Sequence, residues 1–442
     1  MSSIEKKPKL IYNNIFYLLK EHQTWISQSI PLIASENIPS SAVKEAIVSD
    51  FGCRYAEGWP GERLYAGCKY IDQVELICID LAKKLFNAEF ADVRPVSGVN
   101  ANLAVYSAFT NPGDKMLTLS IPNGGHISWG KKEFFGTAGL VHGLIIEYMS
   151  FDKSEMKIDI DKTKDNINKL VKEGNPPKIA MLGGSLILFP QPIKELSEIL
   201  HEYGTIINYD AAHVSGLIAG NEFQDPLREG ADIMTFSTHK TLFGPQGGTI
   251  VSHQKYGEQI KKAVFPGNTS NHHLHHVAGK AVAFAEMIQF GKQYASQVVK
   301  NARALAQSLF EKGINVLGEK DGFTRSHQIA VDVSKYNDGG TLETDLENNN
   351  IIVNRQLIPG DTKAGRNYVH PGGLRLGTSE VTRLGMKENA MVEIAEFIKR
   401  IIVNKETGDR VKNDIIDFKK NYQKIHYAFE TEKEAYSYIN IR

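Results

Sequence analysis

Short apolar segments alternate with amphipathic segments through the middle of the chain, and this alternation constrains the fold most strongly. The segments "PKIAMLGGSL", "TIINYDAAHV" and "ADIMTFST" are typical of buried strands. Between the first two lies "IKELSEILHEYG", whose Leu196, Ile199, Leu200 and Tyr203 recur at helical spacing. Such alternation predicts an α/β layer with a largely parallel sheet between helices.

The length of 442 residues allows two domains with additional terminal segments. We predict an N-terminal helical arm over residues 1–50 and a large domain over residues 51–280. A smaller C-terminal α/β domain follows over residues 281–404, and a long helical pattern that ends at Gly313 is expected to span both domains. The polar, Lys-rich residues 405–442 are predicted to form an extension on the surface.

Composition excludes several classes of function. Lys and Arg together number 51, as do Asp and Glu, so we expect no nucleic-acid partner. The three cysteines, Cys53, Cys68 and Cys78, form no C-x-x-C pair and indicate neither a disulfide framework nor a zinc or redox motif. No stretch approaches the roughly 18 apolar residues of a membrane span, and the N-terminus lacks a secretory signal. We therefore expect a soluble, cytoplasmic protein.

A lysine stands where a free ammonium would be unfavourable. Lys240 in "STHKTLFGPQGG" follows a strand-like segment and precedes a glycine-rich loop. Burial disfavours the charged amine, and a desolvated lysine can form a Schiff base with an aldehyde. Pyridoxal phosphate is the common protein-bound aldehyde, and it also needs a carboxylate, a planar partner and a phosphate cradle.

Other segments offer these groups, although each also admits a structural interpretation. Asp210 ends the strand-like "IINYD" and could face a pyridinium, with His213 nearby; alternatively, it caps a turn beside a core histidine. Ser97 and Gly98 precede a helical pattern and indicate either a phosphate cradle or a simple helix cap. His126 follows two glycines and is either a ring-stacking residue or a solvated loop histidine.

Two further segments carry candidate binding residues. Arg375 in "GGLRLGTSE" lies among apolar residues, which suits capture of a carboxylate or a structural ion pair. The loop "RYAEGWPGERLYAGCKYID" combines Tyr55, Glu57 and Tyr65 without helical or strand periodicity. Long loops rich in polar and aromatic residues are often functional.

At these residues the chain resembles the serine hydroxymethyltransferase family, and its archaeal branch in particular. The motifs "YAEGWPGERLYAGCKYID", "YDAAHVSGLIAG", "STHKTLFGPQGG" and "GLRLGTSEVTR" carry the resemblance, which extends from near Ser35 to near Gly385. It implies a pyridoxal-phosphate enzyme of the aspartate aminotransferase fold type (fold type I), with a seven-stranded sheet. It also implies a cytoplasmic homodimer with shared active sites. The implied reaction interconverts serine and glycine by hydroxymethyl transfer to a reduced pterin, either tetrahydrofolate or a modified folate such as tetrahydromethanopterin.

The resemblance also implies residue roles. Lys240 would bind the cofactor aldehyde, with catalytic support from His239 and from Glu57 as a general acid. Asp210 would pair with the pyridine nitrogen, His126 would stack on the ring, and His213 would approach its phenolic-oxygen side. Ser97 and Gly98 would bind the phosphate, and Tyr55, Thr269 and Ser270 would make further cofactor contacts. Ser35, Tyr65 and Arg375 would bind the substrate, and Asn354 would lie near the pterin. Tyr55, Glu57 and Tyr65 would belong to the neighbouring subunit, and Thr269 and Ser270 would offer N–H and hydroxyl donors across the dimer.

The chain departs from the common family pattern at three places. Leu186, preceded by Ser185, stands where many members carry a cofactor-contacting serine, so that contact is left unassigned. A glycine-rich segment is replaced by residues 268–271, and Val99 removes one hydroxyl from the phosphate cradle. The following "NHHLHH" could suggest zinc, but no acidic or cysteine ligand is expected nearby, and we predict no metal.

Two other functions are compatible with the same lysine and aspartate. The first is a pterin-independent aldolase that cleaves threonine-like β-hydroxy amino acids. The second is a catalytically silent binding protein, against which the presence of every main chemical group argues.

Overall fold

The structure, a computed structural model, describes residues 7–406, 408–431 and 433–441. The strands in chain order are β1 (Ile30–Pro31), β2 (Phe90–Asp92), β3 (Lys115–Thr118), β4 (Ile145–Tyr148), β5 (Phe151–Asp152), β6 (Lys157–Ile158), β7 (Ile179–Gly183), β8 (Ile206–Asp210), β9 (Ile233–Ser237), β10 (Gly248–Ser252), β11 (Asn315–Val316), β12 (Gln328–Asp332), β13 (Ile351–Ile352), β14 (Asn354–Gln356) and β15 (Gly373–Gly377). The helices are α1 (Pro8–Ser27), α2 (Ser41–Ile47), α3 (Lys69–Phe86), α4 (Gly98–Phe109), α5 (Thr137–Val141), α6 (Ile160–Lys172), α7 (Ile193–Glu202), α8 (Ser215–Ala219), α9 (Pro226–Glu229), α10 (Gly257–Lys262), α11 (Leu274–Glu311), α12 (Gly339–Asn348), α13 (Ser379–Arg383), α14 (Glu388–Ile402) and α15 (Asp409–Lys419).

A seven-stranded sheet in the order β2-β10-β9-β8-β7-β3-β4 forms the larger core. Strands β9, β8, β7, β3 and β4 run parallel, and β10 runs antiparallel to both of its neighbours. Strands β7 and β9 are buried along their whole length, because helices cover both faces of the sheet. The predicted α/β fold with a mostly parallel seven-stranded sheet is confirmed.

The central parallel strands place their carboxyl ends at one edge of the sheet. Helix α7 connects β7 to β8 and buries Ile193, Leu196 and Leu200, so the predicted amphipathic pattern faces the core. Strand β8 ends at Asp210, and β9 ends three residues before Lys240. In open α/β sheets this edge is where ligands bind.

A second core surrounds an antiparallel sheet in the order β11-β12-β15-β14. The N-terminal segment joins this core, because β1 pairs in parallel with β13 and Leu32 packs inside. Helix α11 contributes to both cores, with Val277 through Val299 in the first and Ala302 through Leu309 in the second. The predicted division at residue 280 falls inside this helix, and the domain boundaries stay a prediction.

The C-terminal segment packs into the second core, so the expectation of a surface extension is wrong. Val411 and Ile415 on α15, followed by Ile425, are buried there. The Arg383 guanidinium holds the next turn, because its Nη1 donates to the carbonyls of His426 (2.8 Å) and Tyr427 (2.6 Å). The scattered apolar positions in this segment cover hydrophobic surface that helices α14 and α13 present.

Helix α1 confirms the helical pattern at the start of the chain but buries none of its residues. Its apolar side chains include Leu10, Ile15 and Leu18, which are 57%, 52% and 55% exposed. Across the described part of the chain, no helix has both the length and the apolar character needed to cross a bilayer.

Candidate active site

Lys240 and Asp210 lie at the same edge of the large sheet. Strands β8 and β9 are parallel neighbours, and Asp210 is only 4% exposed. Burial lowers the pKa of Lys240 to about 8; the positive Arg375 acts in the same direction, whereas Asp210 opposes the shift. The amine is therefore neutral far more often near neutral pH than an ordinary lysine, and the neutral form is the one that attacks an aldehyde.

The Asp210 carboxylate is held by groups that the sequence analysis missed. Asn102 Nδ2 donates to its Oδ2 (2.8 Å), and the Ala212 N–H donates to its Oδ1 (3.0 Å). Thr235 Oγ1 in turn donates to Asn102 Oδ1 (2.6 Å) and fixes the orientation of that amide. Asn102 is a buried polar residue on helix α4, which also carries Asn100 and Ser107, so no signal in the sequence set it apart.

His126 is joined to the same network through Ser128. The Ser128 N–H donates to His126 Nδ1 (3.2 Å), and the Ser128 hydroxyl lies 2.8 Å from that nitrogen. Asn102 Nδ2 also reaches the Ser128 hydroxyl (3.2 Å). Burial lowers the pKa of His126 to about 4, so the ring is neutral at neutral pH and suits stacking on another ring.

His213 and His239 also lie in this region. His213 is buried, and burial lowers its pKa well below the usual range. Burial also lowers the pKa of His239 to about 4, with a smaller contribution from Lys240. The buried Nδ1 of His239 makes no hydrogen bond within the described residues, which leaves a polar atom for a group from outside the chain.

Arg375 is a buried cation that forms no ion pair among the residues described. It is 7% exposed, and burial lowers its pKa to about 10. Its Nη1 donates to the carbonyl (2.6 Å) and the hydroxyl (3.1 Å) of Ser185, and its Nε donates to Asn354 Oδ1 (3.2 Å). The interpretation as a structural ion pair has no support here, and a carboxylate ligand would satisfy the remaining N–H groups.

The structure also shows what surrounds Ser185 and Leu186, where the family's cofactor contact was left unassigned. Ser185 contacts Arg375, whereas Leu186 is buried in an apolar cluster with Phe189 and Ala330. Ser35 is close to the same strand, because the backbone of Ala34 packs against Gly377 so tightly that a Cβ there would lie 2.4 Å from the Ala34 Cα.

The first turn of helix α4 forms the predicted cradle. Ser97 is the N-cap, and its hydroxyl accepts from the Asn100 N–H (3.1 Å). A Cβ on Gly98 would lie 2.4 Å from Ser237 Oγ, so only glycine fits without displacement. Free N–H groups at the start of a helix bind phosphate.

The loop with Thr269 and Ser270, which was predicted to reach phosphate across a dimer, contacts the first turn of helix α4 in its own chain. Thr269 Oγ1 lies 3.3 Å from Asn100 Oδ1. The Thr269 N–H donates to the Val264 carbonyl (2.9 Å) in this conformation, and its role at phosphate stays a prediction. The π-helical turn before the loop uses that donor locally.

Tyr55, Glu57, Tyr65 and Ser270 form a second cluster. Ser270 Oγ donates to Glu57 Oε1 and lies 3.3 Å from the Tyr55 hydroxyl, and the two tyrosine rings are 4.7 Å apart. Both tyrosines are 46% exposed. Within the described residues, no hydrogen bond or ion pair joins this cluster to Lys240, Asp210 or Arg375.

One histidine of "NHHLHH", His272, lies beside an acidic side chain, so the expectation of none nearby is wrong. His272 Nε2 lies 2.8 Å from Glu75 Oε2, and Arg63 Nη2 donates to the same oxygen (2.8 Å). Glu75 comes from helix α3, far away in the sequence. Its Oε2 is engaged by these two groups, whereas its Oε1 has no hydrogen-bond partner among the described residues.

The site as a whole fits pyridoxal phosphate. Lys240 supplies the amine, Asp210 supplies the carboxylate, and the α4 N-terminus supplies a cradle in which Gly98 packs too closely against Ser237 to carry a Cβ. Among the described residues, His239 Nδ1 has no hydrogen-bond partner and Arg375 has no acidic partner, so both can take a bond from a bound group.

Comparison with known proteins agrees with this chemistry. The serine hydroxymethyltransferase family model matches residues 10–398. This chain belongs to the serine hydroxymethyltransferase family. Relatives with that name are 64% identical in Nitrosopumilus maritimus, covering 98% of each chain, and 52% identical in Methanocaldococcus jannaschii, covering 95% of this chain and 96% of the relative. Another in Pyrococcus furiosus is 49% identical, covering 95% of this chain and 97% of the relative.

Membership of the serine hydroxymethyltransferase family confirms several predictions. The protein is a transferase of fold type I that depends on pyridoxal phosphate. It interconverts serine and glycine by hydroxymethyl transfer, with a one-carbon carrier as the second substrate. The aldolase and the silent binding protein are therefore not favoured.

Proposed function

We propose that this serine hydroxymethyltransferase uses a reduced pterin as its carrier, with tetrahydromethanopterin or another modified folate favoured over tetrahydrofolate. The resemblance to archaeal members supports a modified folate. The observation that carries the catalytic assignment is Arg375, a buried cation without an acidic partner among the described residues, close enough to lower the pKa of Lys240. We also infer a cytoplasmic location.

In this proposal the cofactor is held by the residues around Lys240 and Asp210. Pyridoxal phosphate, when bound, supplies an electron sink for the bond between Cα and the hydroxymethyl carbon. Lys240 contributes the amine that binds the aldehyde, and Asp210 keeps the pyridine nitrogen protonated. The neutral ring of His126 stacks on the cofactor, while Ser97 and Gly98 bind the phosphate.

Arg375 and Ser35 orient serine by its carboxylate, which fixes the direction of the hydroxymethyl group. Glu57 holds a proton at the serine hydroxyl, and its contact with Ser270 supports a position for that carboxyl group beside Tyr55. Tyr65 completes the substrate side. The amide of Asn354 orients the Arg375 guanidinium and lies where the pterin would approach.

A homodimer with shared active sites explains why the second cluster lies apart from the residues around Lys240. The exposed tyrosines of the second cluster and the exposed apolar face of α1 support a subunit interface. In a two-fold dimer, the second cluster of one subunit would complete the Lys240 site of its partner.

Glycine release from L-serine tests the carrier assignment. Purified enzyme is assayed in parallel with no carrier, with tetrahydrofolate and with tetrahydromethanopterin. We expect strong stimulation by a pterin and loss of turnover in Lys240→Ala but not in Lys255→Ala, because Lys255 is exposed. Equal rates in all three reactions would contradict the proposed use of a pterin carrier.

Mixing two inactive variants tests the shared sites. Lys240→Ala and Glu57→Gln subunits are unfolded and refolded together, which forms hybrid dimers. If each site takes its lysine and its glutamate from different subunits, every hybrid has one intact site, and about a quarter of the wild-type activity returns. Activity no greater than that of the separate variants would contradict shared sites.

A further inference from the structure

Gln328 is a buried amide that the catalytic assignment above does not use. It is the first residue of β12 in the second core, and it makes three hydrogen bonds across to the large sheet's edge. Its Oε1 accepts from the Ile187 N–H (2.6 Å), and its Nε2 donates to the Ser185 carbonyl (2.9 Å). The same Nε2 lies 2.8 Å from Nδ1 of His213.

The two backbone partners determine which way the Gln328 amide faces. A backbone N–H can only donate and a backbone carbonyl can only accept, so the oxygen must face Ile187 and the nitrogen must face Ser185. The second N–H of the amide then faces His213. Because an N–H cannot accept a hydrogen bond from another N–H, His213 Nδ1 must be the acceptor and cannot carry a proton.

The surroundings keep the His213 ring neutral. Burial is the main cause of its lowered pKa, and the positive charges of Lys240 and Arg375 act in the same direction, with smaller effects from His327 and His126. His327 stacks on the ring with centroids 5.7 Å apart, and its Nε2 is 3.0 Å from the Ala34 carbonyl. A neutral ring with a bare Nδ1 carries its proton on Nε2.

We propose that Gln328 is a positioning residue that holds His213 in the neutral Nε2–H tautomer, so that this ring donates a hydrogen bond to the phenolic oxygen of the cofactor. Only the identity of the acceptor rests on the proposed function, in which pyridoxal phosphate occupies this site, and on the family resemblance, which puts its phenolic oxygen beside His213. The amide also shares the Ser185 carbonyl with Arg375, so one side chain aligns both the His213 ring and the carbonyl that holds the substrate-binding guanidinium.

The tautomer is measured by ¹⁵N NMR on dimer labelled only in its histidine rings, with and without pyridoxal phosphate. The His213 signals are assigned by their loss in His213→Asn. Gln328→Glu keeps an acceptor for Ile187 but presents a carboxylate oxygen to His213, which favours a proton on Nδ1. Gln191→Glu is the matched control, because Gln191 likewise bonds a backbone N–H (2.6 Å) and carbonyl (2.9 Å), both of Gly183.

We expect a bare Nδ1 in the wild type and in Gln191→Glu, and a protonated Nδ1 in Gln328→Glu. We also expect serine turnover in Gln328→Glu to fall at least tenfold at unchanged cofactor content. A protonated Nδ1 in the wild type overturns the proposal and needs no variant. A bare Nδ1 in Gln328→Glu, or unchanged turnover despite a reversed tautomer, also overturns it.

If Gln328→Glu does not fold, Gln328→Met removes the donor without adding charge. The expected result is then a His213 spectrum averaged between the two tautomers, and a purely Nε2-protonated ring would overturn the proposal. The spectra need neither serine nor a pterin. A protein that failed to release glycine would contradict the proposed function and leave the tautomer result unaffected.

Discussion

Replacing Arg375 with lysine should lower kcat/KM for serine by about 10²- to 10⁴-fold. The guanidinium has five N–H groups, and Ser185 and Asn354 accept three hydrogen bonds from Nη1 and Nε. The two N–H groups of Nη2 remain for the substrate carboxylate. Each hydrogen bond to a charged group contributes roughly 1.5–3 kcal/mol, so losing both costs about 3–6 kcal/mol. A tenfold change in rate corresponds to about 1.4 kcal/mol.

The assay measures how far the substitution lowers kcat/KM for serine and how far it lowers the affinity for L-serinamide, whose amide group lacks the negative charge of the carboxylate. Arg375→Lys should lower kcat/KM for serine strongly and the affinity for serinamide only slightly, and it should leave the cofactor absorbance unchanged. Arg355→Lys is the matched control, because Arg355 is on the same small sheet but is paired with Glu343 (2.5 Å). A kcat/KM for serine within threefold of the wild type would refute the assignment of Arg375 as the carboxylate-binding residue.

Three further predictions concern other parts of the molecule. Burial lowers the pKa of Lys240 to about 8, so the rate at which cofactor-free protein binds pyridoxal phosphate covalently should rise with pH and level off above about 8. Stopped-flow absorbance measures this rate, and a rate that still rises at pH 10 would contradict the prediction. Gly98→Ala should speed cofactor dissociation at least about tenfold, and adding Ser237→Ala should restore part of the loss, since the clash is with the Ser237 hydroxyl. Burial raises the pKa of Glu380 to about 7 from 4.5, so between these pH values the folded state holds a proton on Glu380 that the unfolded state has lost. The free energy of unfolding should therefore fall by up to about 3 kcal/mol as pH rises from about 4.5 to 7. Urea unfolding of Glu380→Gln, whose side chain does not titrate, should lack that decrease.

The elements of the large sheet were predictable because their signals are local. The apolar strands and the spacing of helix α7 depend on residues within a few positions of one another. Lys240 and Asp210 were recognisable because charged residues at the ends of apolar strands are unusual. These features required no knowledge of tertiary contacts.

The supporting residues were not predictable for the opposite reason. Asn102 lies 108 positions from Asp210, and Gln328 lies 115 positions from His213. Their sequence neighbours are ordinary helix and strand residues, so only the assembled fold reveals what they bind. The packing of the C-terminal segment was missed similarly, since its apolar residues are sparse and their partners are on α13 and α14.

Helix α11 has a consequence for which amino acids the enzyme accepts. Its 38 residues form one continuous rod, about 57 Å long, whose two halves are built into the two cores. Lys240 belongs to one core and Arg375 to the other, so the rod, together with the Arg375–Ser185 contact, helps to fix the separation between the amine-binding and the carboxylate-binding groups. Every α-amino acid has the same spacing between its amino and carboxylate groups. We therefore expect a β-amino acid, with one more carbon between these groups, to be a poorer substrate than serine.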